Sequence, residues 1–211
     1  EDMLCEDSES TSIQMPEIES IELKNLCIEQ GDFYLKNFSY LFEAGKYYVF
    51  VGESGSGKST IFNVLTGKTK VRSGQILVNG MDVTDLMDGV SMDCFSVVEQ
   101  KPYIFDQDYL QNVSLFESYS TENLKQYEAQ LPKQLSNRLK QVESTQLSGG
   151  EKQVLCLLRA ALAKKSVLLL DEVTSAIDQG NKKVIRSLVQ KIPAKIKIEI
   201  SHSEIEEGAI V

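Results

Sequence analysis

The chain has 211 residues, of which 42% are hydrophobic and 25% are charged, an ordinary composition for a globular protein. No stretch approaches the roughly 20 consecutive apolar residues that a membrane-spanning helix needs. The net charge of −9 is concentrated in residues 1–22, which hold eight acidic residues and no basic ones, whereas the rest of the chain carries 23 acidic and 22 basic residues. An acidic leader followed by an almost neutral body argues against nucleic acid as a partner.

The first 20 residues and the four cysteines carry no recognisable site. Residues 1–20 are polar and serine-rich, so we predict a solvated acidic linker there and a folded domain in 21–211. The cysteines contain no CxxC pair, so neither a zinc site nor a disulfide framework is expected, and reduced thiols fit a cytosolic compartment. They are Cys5, Cys27, Cys94 and Cys156.

The first third of the domain has the pattern of antiparallel β-structure. Hydrophobic residues alternate with period two in 21–26, as in a half-buried strand, and β signals continue in 38–42. Residues 76–83 predict a hairpin, because Asn79-Gly80 supplies the two positive φ angles of a type I′ turn. We therefore expect antiparallel strands on both sides of the motif that lies between them.

That motif is a glycine-rich segment between an apolar strand and a helix, and it predicts a P-loop. Polyphosphate has to approach bare backbone, so the glycines remove Cβ obstruction and let successive N–H groups turn inward. The helix that follows adds its positive dipole end. Lys58 is placed to reach the β- and γ-phosphates, and the Ser59 hydroxyl suits Mg²⁺. The nucleotide-binding residues predicted here are Gly52, Ser54, Gly55, Ser56, Gly57, Lys58, Ser59 and Thr60.

The second half of the chain alternates between helical and strand patterns. From about residue 112 to 163 the spacing of apolar residues is helical, and 166–170 is a short continuous apolar run, typical of a buried parallel strand. A helix is predicted for 180–191, followed by a strand over 195–201 in which isoleucines alternate with polar residues. Strand, helix and strand in this order indicate an α/β fold with a parallel sheet.

Two acidic residues end the apolar run of 166–170. At the carboxyl end of a core strand, Asp171 is expected to face the P-loop and to hold Mg²⁺ through water, together with Ser59. Glu172 points in another direction and can polarise an attacking water as general base. Combined with a P-loop, this pair indicates phosphoryl transfer.

A second segment with adjacent glycines precedes a long apolar helix. Ser148 can cap the helix over 152–164, and Gly149 and Gly150 leave its first amides accessible. This is a second phosphate-binding helix terminus, and a single P-loop does not need one. We therefore predict that it contacts the γ-phosphate of a nucleotide bound to another molecule.

With these motifs in place, residues 21–205 resemble the nucleotide-binding domain of ATP-binding cassette (ABC) transporters. Segment 147–151 matches the family's LSGGQ signature, with glutamate in the last position. The resemblance implies a P-loop NTPase (RecA-like) core with an antiparallel β subdomain in 21–101 and 165–211, and a helical subdomain in 102–164.

The resemblance adds three residues to the predicted site. Gln100 stands where the family has its Q-loop glutamine, which senses Mg²⁺ and faces the membrane domain. Asp178 lies in a segment similar to the D-loop, which crosses the dimer interface, and His202 stands where the family places its switch histidine, a γ-phosphate contact. The implied catalytic set is Glu172, His202, Lys58 and Gln100, the metal ligands are Ser59, Gln100 and Asp171, and the nucleotide contacts outside the P-loop are Ser148, Gly149, Gly150 and Asp178.

The chain departs from the family pattern in several places, two of which concern the adenine site and the strand over 195–201. Gln30 stands where relatives stack adenine on an aromatic residue, and Phe33 and Tyr34 are both open as substitutes. The strand over 195–201 carries lysines where relatives are fully apolar, which predicts a partly exposed strand.

The resemblance implies an ATPase that uses ATP and Mg²⁺ and works as a head-to-tail pair with a second copy or a paralogue. A transmembrane domain, in the same or a partner chain, would hold it at the cytoplasmic face of a membrane.

The stretch 102–113 resembles the exporter branch, where the pattern LF…ENI is typical. Two alternatives stay open, the ATPase subunit of an importer and a soluble ABC ATPase that acts on ribosomes or DNA. A P-loop kinase is excluded, because the second phosphate-binding segment would have no role in it.

Overall fold

The computed structural model describes residues 17–30, 33–53, 55–115, 117–174 and 179–201. In those ranges the chain forms eight strands and seven α-helices. The strands are β1 (Ser20–Gln30), β2 (Phe33–Glu43), β3 (Lys46–Val51), β4 (Ser73–Val78), β5 (Met81–Asp82), β6 (Phe95–Val98), β7 (Val167–Asp171) and β8 (Ile196–Ser201). The α-helices are α1 (Lys58–Leu65), α2 (Met87–Cys94), α3 (Tyr109–Ser114), α4 (Thr121–Glu128), α5 (Lys133–Gln141), α6 (Gly149–Ala163) and α7 (Gln179–Lys191).

Two four-stranded sheets organise these elements. The first is antiparallel, with strand order β2-β1-β4-β5, and the second is parallel, with order β3-β8-β7-β6. The predicted hairpin is confirmed: Asn79 and Gly80 have φ angles of 51° and 80°, and Val78 pairs with Met81 across the turn. The prediction of an α/β fold with a parallel core and an antiparallel β subdomain is confirmed as well.

The parallel sheet separates two hydrophobic cores. In β7, Val167 and Leu169 face the core shared with the antiparallel sheet, α1 and α2, whereas Leu168 and Leu170 face the core shared with α3 to α7. All four side chains are fully buried, and burying each contributes about 1.5–3 kcal/mol. An apolar run without alternation is therefore what a strand covered on both faces requires.

β8 is a central strand, so the prediction of a partly exposed strand is wrong. It lies between β3 and β7 and is hydrogen-bonded to both. The ammonium of Lys197 donates to the carbonyls of Val189 (2.8 Å) and Gln190 (2.9 Å) in the last turn of α7, where the helix dipole favours a cation. Burial lowers the pKa of Lys197. The lysine thus satisfies a helix end rather than marking a solvent-facing strand.

The last residues of the predicted linker are packed against the domain. Ile18 is fully buried, and the Asn79 side chain accepts from the amide of Glu19 (2.8 Å) and donates to the carbonyl of Glu17 (3.0 Å). Lys195 forms an ion pair with Glu17 at 2.6 Å. The folded part therefore includes at least residues 17–20, which the sequence assigns to the linker.

The carboxyl ends of the parallel strands lie along one edge of the sheet and position the site. β3 and β8 end side by side, with Val51 paired to Ser201, and Asp171 at the end of β7 pairs with Ile200. β6 ends next to β7 on the other side. The P-loop after β3, Gln100 after β6 and Glu172 after β7 consequently leave the sheet along the same edge, although they lie far apart in the sequence.

The helical part of the domain packs on the far face of the sheet. α3 begins with a capping box between Asp108 and Gln111, and the buried amide of Asn112 donates to the carbonyls of Phe105 (3.0 Å) and Gln107 (2.9 Å). These bonds hold the loop between β6 and α3 in a fixed shape. None of the helices in the described ranges combines the length and the apolar character that crossing a bilayer requires.

Candidate active site

The P-loop connects β3 to α1 with the backbone conformations that its glycines permit. Gly55 and Gly57 have φ angles of 85° and 96°, in the left-handed region that glycine occupies without strain. A Cβ at Gly52 would lie 3.1 Å from the Ser56 hydroxyl oxygen, so a side chain there would narrow the loop. Gly57 caps α1 without a side-chain hydrogen bond, which leaves the first amides of the helix to a ligand.

The Lys58 side chain lies inside the loop. Its ammonium donates to the carbonyls of Gly52 (2.6 Å) and Glu53 (2.8 Å) and lies 3.3 Å from the Ser56 hydroxyl. The loop thus concentrates one cation and several glycines at the helix N-terminus. That combination suits the oxygens of a polyphosphate.

Glu172 and Gln100 meet at the carboxyl edge of the sheet, although 72 residues separate them. The Gln100 side-chain nitrogen donates to a carboxylate oxygen of Glu172 at 2.6 Å. Glu172 has a φ of 48°, a left-handed conformation that costs a non-glycine residue about 1–2 kcal/mol. Its amide donates to the carbonyl of Ile200 in β8 at 3.0 Å, which helps to stabilise the turn. The structure therefore brings together the predicted general base and the predicted Q-loop glutamine.

The predicted Mg²⁺ ligands offer oxygen donors of the kind that this cation prefers. They are the hydroxyl of Ser59, the carboxylate of Asp171 and the amide oxygen of Gln100, whose nitrogen is engaged with Glu172. Among the described residues, no group of three or more His, Cys, Asp or Glu side chains is arranged to hold a metal ion. The residues fit a magnesium ion that shares its coordination with phosphate and water rather than a closed protein cage.

The signature segment forms the N-terminus of α6, and the predicted Ser148 cap is confirmed. The Ser148 hydroxyl accepts from the amide of Glu151 (3.4 Å), and the Glu151 carboxylate accepts from the amide of Ser148 (2.7 Å), which makes a reciprocal capping box. Arg138 in α5 forms an ion pair with the other oxygen of Glu151. Apart from the adjacent backbone of the helix, no atom of the described residues lies within 4 Å of a Cβ placed at Gly149, so this side of the helix end is open.

The Glu151 carboxyl is held in its charged form. Burial acts to raise its pKa, but the hydrogen bonds from Ser148 and the ion pair with Arg138 outweigh burial and hold the pKa below its ordinary value. The family signature has a neutral glutamine at this position, so the charge needs compensation. Arg138 supplies it.

Several predicted residues lie outside the described part of the chain. They are Ser54 in the P-loop, Asp178 and His202. The side chains of Gln30 and Phe33 are also outside it, while Tyr34 is half-exposed on β2. The adenine-stacking residue therefore stays a prediction with its alternatives open.

Sequence reasoning missed one buried polar residue beside the site. Gln153 in α6 donates from its side-chain nitrogen to the carbonyls of Glu99 and Gln100, each at 3.0 Å. It is only 4% exposed. The available signal was a polar residue within an otherwise apolar helix, which alone does not indicate what it touches.

A groove of about 410 Å³ opens next to the Q-loop, between α2, β6 and α6. Met92 and Tyr103 at its rim are 79% and 70% exposed, and the Cys156 thiol lies in its floor. Burial raises the pKa of Cys156 to about 11, so this thiol is neutral at physiological pH. Arg159 fixes the rim by donating to the carbonyl of Tyr103 at 2.6 Å.

Comparison with known proteins agrees with this geometry. A family model described as ABC transporter matches residues 35–175. The chain belongs to the ABC transporter family. Within it, the domain is 34% identical to the Alpha-factor-transporting ATPase of Saccharomyces cerevisiae, over 82% of this chain and 14% of that protein. It is 33% identical to the ATP-dependent lipid A-core flippase of Haemophilus influenzae, over 82% of this chain and 32% of that protein.

The fold of this ABC domain also matches a solved structure, that of a bacterial Atm1-family ABC exporter with ATP bound. The TM-score is 0.74 at 25% sequence identity, and the match covers 88% of this chain and 35% of the other. This chain thus spans about a third or less of the length of these relatives. The prediction of an ABC-type ATPase domain that resembles the exporter branch is confirmed.

Proposed function

We propose that this ATPase domain is the motor of a membrane exporter, binding MgATP between two domains arranged head-to-tail. The observation that carries the proposal is the contact of Gln100 with Glu172 at the same sheet edge as the P-loop. An amide from one segment and a carboxylate from another converge where the γ-phosphate of a bound nucleotide would end. That is the place where a water has to be aligned and deprotonated.

In the proposed mechanism, the P-loop binds the triphosphate first. Lys58 exchanges its bonds to the Gly52 and Glu53 carbonyls for phosphate oxygens, and the free amides at the start of α1 bind the same anion. Ser59, Gln100 and Asp171 would hold Mg²⁺, which neutralises charge on the phosphates when bound. The Lys58 ammonium already lies inside the loop that would receive the phosphates.

Glu172 then accepts a proton from the attacking water, while Gln100 orients the carboxylate. The partner domain contributes the N-terminus of α6, with the Ser148 hydroxyl and the amides of Gly149 and Gly150 directed at the γ-phosphate. Asp178 at the dimer interface and His202 at the γ-phosphate complete the proposed site. Closure of the two domains excludes water and aligns these groups.

The membrane partner is proposed to dock in the groove beside the Q-loop. An exposed Tyr103 and Met92 above an apolar floor suit a short segment of a transmembrane domain, and Gln100 lies two residues after β6, the strand that lines this groove. The similarity to transport proteins supports the proposal that the domain lies at the cytoplasmic face of a membrane. The named substrates of the relatives differ, so the substrate is assigned to the membrane domain rather than to this one.

The test of the catalytic assignment is Glu172→Gln, which keeps the shape of the side chain and removes the base. We expect ATP turnover to fall by at least about a hundredfold, while ATP still binds and a nucleotide-bound dimer accumulates. Phosphate release and size-exclusion chromatography measure the two effects. Glu122→Gln on the exposed face of α4 is the matched control and should leave turnover unchanged. An unaltered hydrolysis rate in Glu172→Gln would remove Glu172 from the role.

The membrane assignment is tested on the native protein with an antibody against this domain. We expect the band to exceed 23.6 kDa by far and to stay with membranes until detergent is added. A band near 23.6 kDa that washes off membranes would indicate a separate subunit recruited to a membrane protein. A wholly cytosolic band would contradict the transporter proposal and favour the soluble ABC ATPase.

Import is a second candidate, favoured by one relative. The Mycobactin import ATP-binding/permease protein IrtB of Mycolicibacterium smegmatis is 32% identical over 80% of this chain. Export and import predict opposite directions of ATP-dependent substrate flux in inside-out vesicles. Accumulation inside such vesicles supports export, and substrate loss from preloaded vesicles supports import.

A further inference from the structure

Gln153 connects the signature helix α6 to the backbone of the Q-loop. Its side-chain nitrogen donates to the carbonyl of Glu99 and to the carbonyl of Gln100, both at 3.0 Å. The residue is 4% exposed, so water competes little for these two bonds. Two adjacent carbonyls held by one amide fix both the position and the tilt of the peptide between them.

The orientation of this amide follows from its partners. Both contacts are carbonyl oxygens, which only accept, so the nitrogen of Gln153 has to face them. Its oxygen is buried without a hydrogen-bond partner among the described residues. An apolar side chain of similar size would avoid this unsatisfied oxygen. The benefit of the glutamine is therefore its pair of donor bonds to the Q-loop.

The peptide that Gln153 holds carries the side chain that reaches the general base. Gln153 binds the backbone carbonyl of Gln100, and the Gln100 side chain donates to the Glu172 carboxylate at 2.6 Å, so Gln100 itself links α6 to Glu172. The neighbouring Glu99 is also tied by an ion pair with Lys68. Both partners of that ion pair are about half-exposed, and exposed pairs restrain a loop weakly. Gln153 is thus a buried restraint on the Q-loop.

The position of Gln153 in α6 gives this contact a second consequence. It lies five residues after Ser148, which is about 7.5 Å along the helix axis. A rigid helix that shifts when its N-terminus meets a partner's nucleotide would displace Gln153 by a similar amount. The displacement would then reach the peptide of Gln100.

From these contacts we infer that Gln153 is a positioning residue for ATP hydrolysis, which sets the placement of Gln100 against Glu172 and couples it to the signature end of α6. The inference rests on the proposed function, because it assigns Glu172 as the general base and Ser148 as the contact to the partner's nucleotide. It adds a residue that acts through Gln100 and touches neither nucleotide nor water itself.

The test is a double-mutant cycle in the full-length natural protein, with Gln153→Leu, Gln100→Ala and the two combined. Gln153→Leu keeps the volume and removes both donor bonds, and we expect kcat to fall about 10- to 100-fold, as for a misplaced catalytic group. The dissociation constant of a fluorescent ATP analogue should stay within about twofold of wild type, since the P-loop is untouched. Gln153→Leu should cause no further loss in the Gln100→Ala background, because residues that act in series are not additive.

A purely structural role for Gln153 predicts a different pattern. Leu157→Ala, one turn further along α6 and fully buried, is the matched control for lost packing. It should lower the melting temperature while kcat per folded molecule stays near wild type. The positioning role is overturned if Gln153→Leu lowers only the melting temperature, as Leu157→Ala does. It is also overturned if the fold-decrease in kcat of the double variant equals the product of the fold-decreases of Gln153→Leu and Gln100→Ala.

The outcomes separate this inference from the proposed function. If Gln100→Ala and Glu172→Gln both hydrolyse ATP slowly while Gln153→Leu keeps the wild-type rate, the inference is overturned and the proposed site is retained. Wild-type rates in both Gln100→Ala and Glu172→Gln would overturn the proposed site, and the inference with it.

Discussion

The N-termini of α1 and α6 are both predicted to bind phosphate, yet they are built in opposite ways. α1 starts after a left-handed glycine with no side-chain cap, and the cation Lys58 stands in its first turn. α6 starts with a closed capping box, and an anion, Glu151, stands in its first turn. The first terminus leaves its amides for a ligand, whereas the second satisfies part of its own before any ligand arrives.

This difference corresponds to two ways of meeting a phosphate. A terminus that captures free nucleotide benefits from unpaired donors and a positive charge, because both favour the anion. A terminus that meets a nucleotide already bound elsewhere has to hold its shape without that ligand, and a capping box does so. The ion pair of Glu151 with Arg138 removes the net charge that would otherwise repel the phosphate. We therefore expect α1 to determine affinity and α6 to determine assembly and turnover.

Among changes at the two helix termini, the largest expected effect is that of Lys58→Ala on nucleotide affinity. Removing the one side-chain cation of the P-loop should weaken ATP binding about 10- to 100-fold, as expected for a lost hydrogen bond to a charged group. A titration with a fluorescent nucleotide at low protein concentration measures it. Lys152→Ala, which removes a cation from the first turns of α6, is the control and should leave the affinity unchanged. Normal affinity in Lys58→Ala would contradict the assignment of α1.

Ser148→Ala should show the reverse pattern at the other terminus. ATP affinity of the isolated domain is expected to be unchanged, while turnover and nucleotide-dependent dimerisation fall about tenfold, because the cap and a phosphate contact are both lost. Analytical ultracentrifugation with ATP follows the dimer. Weakened ATP binding at concentrations where the protein is monomeric would show that the N-terminus of α6 also contributes to ATP affinity, contrary to the proposal.

Arg138→Met tests whether the charge of Glu151 has to be neutralised. Without Arg138 a nearly buried carboxylate is left without its cation, and we expect turnover to fall several-fold. Adding Glu151→Gln should restore it, because a neutral side chain there needs no cation. Failure of the double variant to recover would mean that Arg138 acts through some contact other than Glu151.

The smallest expected effect is on the pH dependence of stability. The pKa of Glu151 is lowered in the folded domain, so its stabilising contribution is fully present above the ordinary pKa of 4.5 and is lost as the pH falls below that value. Melting temperatures of wild type should therefore drop more steeply below this pH than those of Glu151→Gln. Parallel curves for the two proteins would contradict the lowered pKa.

Much of the site follows from short segments of sequence. The P-loop glycines, the Ser148 cap and the Asn79-Gly80 turn each depend on backbone conformations within a few residues, so their spacing is enough to predict them. The contact of Gln153 with the Q-loop is not of this kind. A polar residue in an apolar helix is compatible with many partners, and the order of strands decides which one it meets.

Lys197 in β8 is a second feature whose surroundings the sequence does not predict. Its sequence indicates a partly exposed strand, because a charge is expected to face solvent. The structure places β8 between β3 and β7 and directs Lys197 to the last carbonyls of α7. The end of α7 precedes β8 in the chain, and the packing of α7 on the sheet brings its last carbonyls to Lys197. The spacing of residues within β8 cannot predict that contact.

The sequence by itself determined the reaction class of this ABC domain, the glycine-rich turn before α1 and the Ser148 cap of α6, and it predicts Glu172 as the general base. Those features are local, since a phosphate requires particular residues in a particular order along the chain. The tertiary structure alone decided that Gln100 meets Glu172, that Gln153 holds the Q-loop and that Arg138 neutralises Glu151. The first two contacts join residues 72 and 53 positions apart, and the order of strands in the parallel sheet brings them together. The third joins residues 13 positions apart and depends on the packing of α5 against α6.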